Sequence, residues 1–320
     1  MPIAKLRNVK RERGQAVGRQ PKPIRPRKTA FVFAGGGSLG AVEVGMLKAL
    51  VAAGVRADLV VGSSVGALNA AYFAARPNEK GVKRLDAVWR GLRTGDVFPF
   101  SPLRALLALL GYADGLTDPS NLKALLMREL PFQRLEQARV PCHVVATDIL
   151  NGDEVVLSSG PAVDALLASA AIPGVFPPVE LDGRDLCDGG VSSNTPIATA
   201  ISLGAGRIVV MPTGFPCDLP SPPGGAVAMA VHAINLLINH QLVVDIERFH
   251  DAATITVVPP ACPLAVSPLD FSSVGEMIDR ATESTRRWLD GGGLKREGVP
   301  NELRSHRHAQ SDSGKLRAVR

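Results

Sequence analysis

Two short apolar runs near the start of the chain, Thr29–Ala34 and Asp58–Val61, each stop at a cluster of glycines and are followed by apolar residues at helical spacing. Short uninterrupted apolar runs bounded by turn residues predict strands covered on both faces. Within Leu39–Ala53, Val42, Met46, Leu47 and Leu50 fall on one helical face and Gly54 closes the segment, so a helix is expected there. Val65–Ala75 predicts a second helix, built from small residues. Strand, helix and strand in this order predict a right-handed crossover and a parallel sheet. Both glycine clusters then lie at the carboxyl ends of adjacent strands, where open α/β sheets bind ligands.

From Leu85 to Arg139 the pattern is helical but cut by Pro99, Pro102, Pro119 and Pro131, which predicts an insertion over the sheet. Inside it, Leu103–Leu110 is apolar enough to serve as a lid or a lipid-facing patch. Ordinary packing is the favoured reading, because leucine is among the residues most often buried. Strands resume at Pro141–Thr147 and Glu154–Leu157 around Asn151-Gly152-Asp153, and at Val179–Leu181 and Arg184–Leu186 around Asp182-Gly183, two hairpin signals. Ala162–Ala171 predicts a helix ending before Pro173-Gly174, and Asn194 is expected to cap another that has Pro196 near its start. Arg207–Met211 and Thr254–Val258 complete the strands, and Val274–Leu289 is the last helix expected. The alternation predicts a three-layer α/β/α sandwich with a mostly parallel central sheet.

Charge divides the chain. Residues 1–28 carry a net +9 and residues 291–320 a net +4, so a total of +6 leaves −7 for residues 29–290. Three parts are therefore expected: a basic disordered arm (1–28), one folded domain (29–290, with 85–139 as its insertion) and a basic disordered tail (291–320). Such arms are suited to peripheral contact with anionic membrane. Nucleic acid is not expected as a partner, since the body is acidic and the basic runs contain no interleaved aromatics. The N-terminus has no apolar core to follow its charges, so a secretory signal is not expected either. Ala226–Val244 is broken by His232, Asn235, Asn239, His240 and Gln241, and reads as a core helix rather than a membrane span. Cys142, Cys187, Cys217 and Cys262 are widely spaced, with neither a zinc pattern nor a disulfide framework, which fits a reducing, cytoplasmic setting.

The chemistry gathers at the glycines. In Gly62-Ser63-Ser64-Val65-Gly66, small residues frame a serine on a strand-to-helix turn and the helix N-terminus points at it, as a serine nucleophile needs. Gly35-Gly36-Gly37-Ser38-Leu39-Gly40 also spells a dinucleotide fingerprint, but the acid required at the end of the second strand is missing, Asp58 being at its other end. An oxyanion-binding loop suits the run better. For the base, His143 is mid-strand, His306 and His308 lie in the tail, and His232 shares a helical stripe with asparagines. An order of Ser64, Asp188 and then His232 or His250 fits a serine triad, while Asp188-Gly189-Gly190 offers a carboxylate in an open turn, or simply a turn.

The two glycine turns, Ala168-Ser169-Ala170-Ala171-Ile172-Pro173-Gly174-Val175-Phe176-Pro177-Pro178 and Asp188-Gly189-Gly190, taken in order, resemble bacterial patatin-like phospholipases over roughly Thr29–Met211. The resemblance implies a serine lipid acyl hydrolase with a Ser-Asp dyad that cleaves esters of phospholipids or other fatty-acyl esters through an acyl-enzyme. Ser64 would be the nucleophile, Asp188 the base, and Gly35, Gly36 and Gly37 the oxyanion hole, with Gly40, Gly62, Gly66, Gly189 and Gly190 shaping the turns. Neither metal nor cofactor is implied. Two positions depart from the family pattern: Leu39 stands where Arg or Lys is frequent, and Ala34 where Asp is frequent. The competing readings are a Ser-Asp-His esterase and a catalytically quiet lipid-binding protein on the same fold.

Overall fold

The computed structural model describes residues 28–99, 101–214, 222–260, 262 and 266–304. The basic arm through Arg27, the segment from Ser305 onward with His306 and His308, and Cys217 lie outside the described residues. Eight strands form one mixed sheet: β1 (Lys28–Phe33), β2 (Leu59–Ser63), β3 (Cys142–Asp148), β4 (Glu154–Leu157), β5 (Val179–Leu181), β6 (Arg184–Asp188), β7 (Ala205–Met211) and β8 (Thr254–Val257). Their order is β5-β6-β3-β2-β1-β7-β8, with β4 paired to β3 off this path. β3, β2, β1, β7 and β8 are mutually parallel, whereas β4, β5 and β6 join antiparallel.

Helices cover both faces: α1 (Gly40–Ala52), α2 (Val65–Ala75), α3 (Glu79–Gly91), α4 (Thr94–Val97), α5 (Pro102–Leu109), α6 (Ser120–Glu129), α7 (Ala162–Ser169), α8 (Gly190–Ser193), α9 (Ile197–Ser202), α10 (Ala226–Phe249) and α11 (Val274–Asp290). Because strand side chains alternate, β1 sends Phe31 and Phe33 to one core and Ala30 and Val32 to the other. The first core packs against α1, α2, α3 and α11; the second packs against α9 and the end of α10. All eight expected strands form, and Asp182 and Gly183 both take positive φ in the β5–β6 turn.

Several expectations need correction. α10 is no core helix: Leu242 and Ile246 are buried near its end, but Met229, Ile234, Leu236, Leu237 and Val244 are exposed. Asn239 faces inward and donates to the Leu303 carbonyl, while Leu236 and Leu237 face out, so apolar and polar residues are not sorted onto separate faces. Among the described residues it is the one helix long and apolar enough to cross a membrane, over Ala228–Phe249. The favoured packing of Leu103–Leu110 also fails, with Leu103, Leu106, Leu107 and Leu110 exposed on or just beyond α5. The helical run over the sheet begins at Glu79, capped by the Asn78 side chain, rather than at Leu85. Asn194 caps no helix start; it closes α8 and bonds the first glycine loop. The expected tail is packed at its beginning, where Leu303 is buried in the second core. Cys142 and Cys187 are buried thiols, but Cys262 is disulfide-bonded, so the cysteines no longer support a reducing setting.

Candidate active site

Ser64 occupies the single residue between β2 and α2, with φ 54° and ψ −131°. A non-glycine residue at positive φ is uncommon and costs about 1–3 kcal/mol, so surrounding contacts must enforce it. They do so from the next layer: Ser64 N–H donates to Ser169 Oγ at 2.9 Å, and Ser169 Oγ donates to the Val145 carbonyl at 2.5 Å. Gly62 and Gly66 leave room for the turn, because a Cβ on either would meet backbone atoms at 2.5–2.6 Å. Gly40 makes space for Val65 in the same way.

β3 brings the carboxylate to this serine. It pairs Val145 with Ser63 of β2, and Ala146 with Asp188 at the end of β6. Asp188 Oδ2 accepts from Ser64 Oγ at 2.5 Å, and Oδ1 accepts from Gly190 N–H at 2.7 Å. Gly189 sits where a Cβ would strike the Val145 carbonyl, so this turn packs directly on β3. Burial pushes the Asp188 carboxyl up to about 6, against the opposing pull of its bonds to Ser64 and Gly190. A carboxylate poised near neutrality is a better proton acceptor than one at its ordinary value.

No histidine bonds either residue among the described contacts. His250 follows the last turn of α10 and pairs with Asp251, near the start of β8 and so at the opposite end of the sheet from Ser64. His143 bonds Ser158, and His232 lies half-buried on α10. Nor do the described residues contain a cluster of three or more His, Cys, Asp or Glu able to hold a metal ion.

The first glycine loop runs beside this pair, with the Cβ position of Gly35 only 3.1 Å from Ser64 Cβ. Its three amides are not equivalent. Gly35 N–H donates to the Asn194 carbonyl at 3.0 Å and is committed, and Ser38 N–H donates to the Pro268 carbonyl at 2.7 Å. Gly36 and Gly37 N–H have no acceptor among the described contacts, so the three amides expected to hold an oxyanion narrow to two. Leu39 is buried in the first core and contributes no charge.

Below the loop lies a carboxylate that the sequence reading missed. Glu43, in the first turn of α1, is fully buried; it accepts from Ala34 N–H at 2.7 Å and from Asn69 Nδ2 at 2.8 Å. Burial holds its carboxyl well above the usual range, opposed by these two bonds. Asn69 Oδ1 in turn accepts from Trp89 Nε1 at 2.8 Å, and Trp89 stacks on Phe271. Trp89, Phe271, Leu68, Phe98 and Phe176 line an apolar cavity of about 90 Å³ that reaches Ser64. Glu43 was legible only as a lone acid inside an apolar helix pattern; Ser169 carried no chemical signal of its own.

The family model described as patatin-like phospholipase matches residues 31–201, just over half of the chain. Patatin-like phospholipase domain-containing protein 6 of Homo sapiens is 30% identical over 187 residues, spanning 58% of this chain and 13% of that protein. An uncharacterized NTE family protein of Mycobacterium tuberculosis is 34% identical over 190 residues, spanning 56% of this chain and 47% of its own length. The chain thus matches less than half of either relative. Among solved structures, human GIVD cytosolic phospholipase A2 superposes with a TM-score of 0.46 at 12% identity, covering 84% of this chain and 59% of that one.

Proposed function

The chain belongs to the patatin-like phospholipase family, and from this we propose that it is a lipid acyl hydrolase working through a Ser64–Asp188 dyad. The observation that carries the reading is the 2.5 Å bond between Ser64 Oγ and Asp188 Oδ2 at the edge of an apolar cavity. Ser64 Oγ attacks the ester carbonyl carbon as its proton passes to Asp188. The carbonyl oxygen becomes an oxyanion facing the Gly36 and Gly37 amides and the N-terminus of α2. Collapse breaks the bond to the alcohol, which leaves with the proton from Asp188. A water deprotonated by the same carboxylate then attacks the acyl-enzyme, releasing fatty acid and regenerating Ser64. The apolar cavity suits the acyl chain, whose desolvation contributes about 0.8 kcal/mol per buried methylene.

A panel of phospholipid, glycolipid and neutral acyl esters tests the reading beside labelling with a fluorophosphonate. We expect one label per chain, on Ser64, and release of free fatty acid from at least one ester class. Correctly folded protein that neither labels nor hydrolyses any ester would identify a binding module instead.

The raised carboxyl of Asp188 fixes the pH dependence. Below about 6 the base is protonated, so kcat/KM for a non-ionising ester is expected to fall about tenfold per pH unit there and to level off above. A flat profile between pH 4.5 and 8 would remove Asp188 from the role of base.

A further inference from the structure

We infer that Thr213 is a positioning residue that fixes the peptide between Gly35 and Gly36 so that the Gly36 N–H is held ready for the oxyanion. The inference rests on the hydrolase reading above and adds a residue that neither glycine motif contains. Thr213 lies two residues beyond β7, the strand that pairs with β1 as far as Phe33, so the sheet itself brings it to the glycine loop. Its hydroxyl is buried and donates to the Gly35 carbonyl at 2.7 Å. Asn194 Nδ2 donates to the same oxygen at 3.4 Å, and the Asn194 carbonyl accepts from Gly35 N–H at 3.0 Å.

In a planar trans peptide the carbonyl of one residue and the N–H of the next point in opposite directions. Two donors gathered on the Gly35 carbonyl therefore turn the Gly36 N–H away from Thr213 and Asn194. Without them, rotation of this peptide would bring a carbonyl oxygen where an N–H is required, and glycine on both sides opposes such a flip only weakly. The close fit supports the assignment. A Cβ on Gly36 would lie 2.4 Å from Thr213 Oγ1, so hydroxyl and loop are in direct contact. The arrangement matters more here because Leu39 supplies no cation, leaving backbone amides to carry the developing charge.

The test compares Thr213→Val, which keeps the shape and loses the donor, with Thr213→Ser, which keeps the donor. Removing an oxyanion donor outright typically costs about 100- to 1,000-fold in kcat, and a donor left free to flip should cost somewhat less, about 10- to 100-fold. We expect Thr213→Val to lose that much kcat with KM within about threefold of wild type, and Thr213→Ser to stay within about threefold on both. A trifluoromethyl ketone, which forms an oxyanion-bearing adduct with a serine, should weaken in parallel with kcat. An uncleavable ether analogue should bind unchanged. Equal kcat in Val and wild type, or equal losses in Val and Ser, would overturn the assignment. If Val proves unstable, Thr213→Cys, a weak donor, should fall between Ser and wild type on one side and Val on the other in ketone affinity; Cys matching Ser would count against the hydroxyl. Loss of fluorophosphonate labelling in the wild-type protein is a different result, and counts against the hydrolase reading itself.

Discussion

Replacing Asp188 by Asn is expected to lower kcat by about a hundredfold to ten-thousandfold, the range that general base catalysis supplies, while making the protein more stable above pH 6. The two effects have one cause. Asp188 is buried and has no cationic partner among the described residues, so burial pushes its carboxyl up from 3.8 to about 6. A raised carboxyl binds its proton more tightly in the folded chain than in the unfolded one, so ionising it costs folding free energy. That cost is absent below about 4, grows as pH rises through the folded value near 6, and is constant above it; two pH units correspond to about 3 kcal/mol. Asn escapes the cost and still fits. Its Oδ1 accepts from Gly190 N–H in the place of the Asp oxygen, and its Nδ2 then meets Ser64 Oγ as a donor. The bond between them is reversed, so nothing remains to accept the Ser64 proton. Ser64→Ala removes the nucleophile itself and should cost at least as much. Thermal unfolding of the wild type and Asp188→Asn at pH 4 and pH 8, beside turnover of one soluble ester, checks both halves. An Asn variant that turns over at wild-type rates sinks the dyad; one that is less stable at pH 8 refutes the account of the buried charge.

How much of this was legible in the sequence follows from range. The strands were readable because β1, β2, β7 and β8 are short apolar runs closed by turn residues, a signal contained within each segment. Ser64 was marked by neighbours in sequence, namely the glycines that let its turn form; Asp188 sat in a similar glycine turn, but only the family resemblance preferred it to a histidine. Ser169, Glu43, Thr213 and Asn194 were not marked, since each acts on a residue 9 to 178 positions away and bears no local sign of it. Asn194 shows the difficulty well. Asparagine two residues before a proline near a helix start reads as a cap, yet its backbone and amide are taken up by Gly35. α10 failed for the opposite reason. Its apolar residues run all round the helix, so no face marks the core, and the outward one cannot be told from the inward one until β7 and β8 are in place.

Gly66→Ala, a change of one methyl group, is expected to reduce kcat at least a hundredfold and to destabilise the fold by about 1–3 kcal/mol or more. Gly66 is the second residue of α2, and a Cβ there would lie 2.5 Å from the Ala34 carbonyl oxygen and 2.6 Å from that of Phe33. Both are backbone atoms at the end of β1, so no side chain can swing aside. The helix must lift from the strand instead. Val65 and Ser64 would move with it, drawing Ser64 Oγ from Asp188 Oδ2, while the end of β1 that leads into Gly35–Gly37 is pushed the other way. A shift of 1 Å between reacting groups is enough for a loss of this size. Gly95→Ala provides the control, because a Cβ there meets nothing within 4 Å and its turnover and unfolding temperature should match wild type. Turnover of Gly66→Ala is read at a temperature where unfolding curves show it fully folded, which separates displacement of the serine from loss of the fold. A folded Gly66→Ala protein with wild-type kcat would show that the α2–β1 contact does not set the position of Ser64.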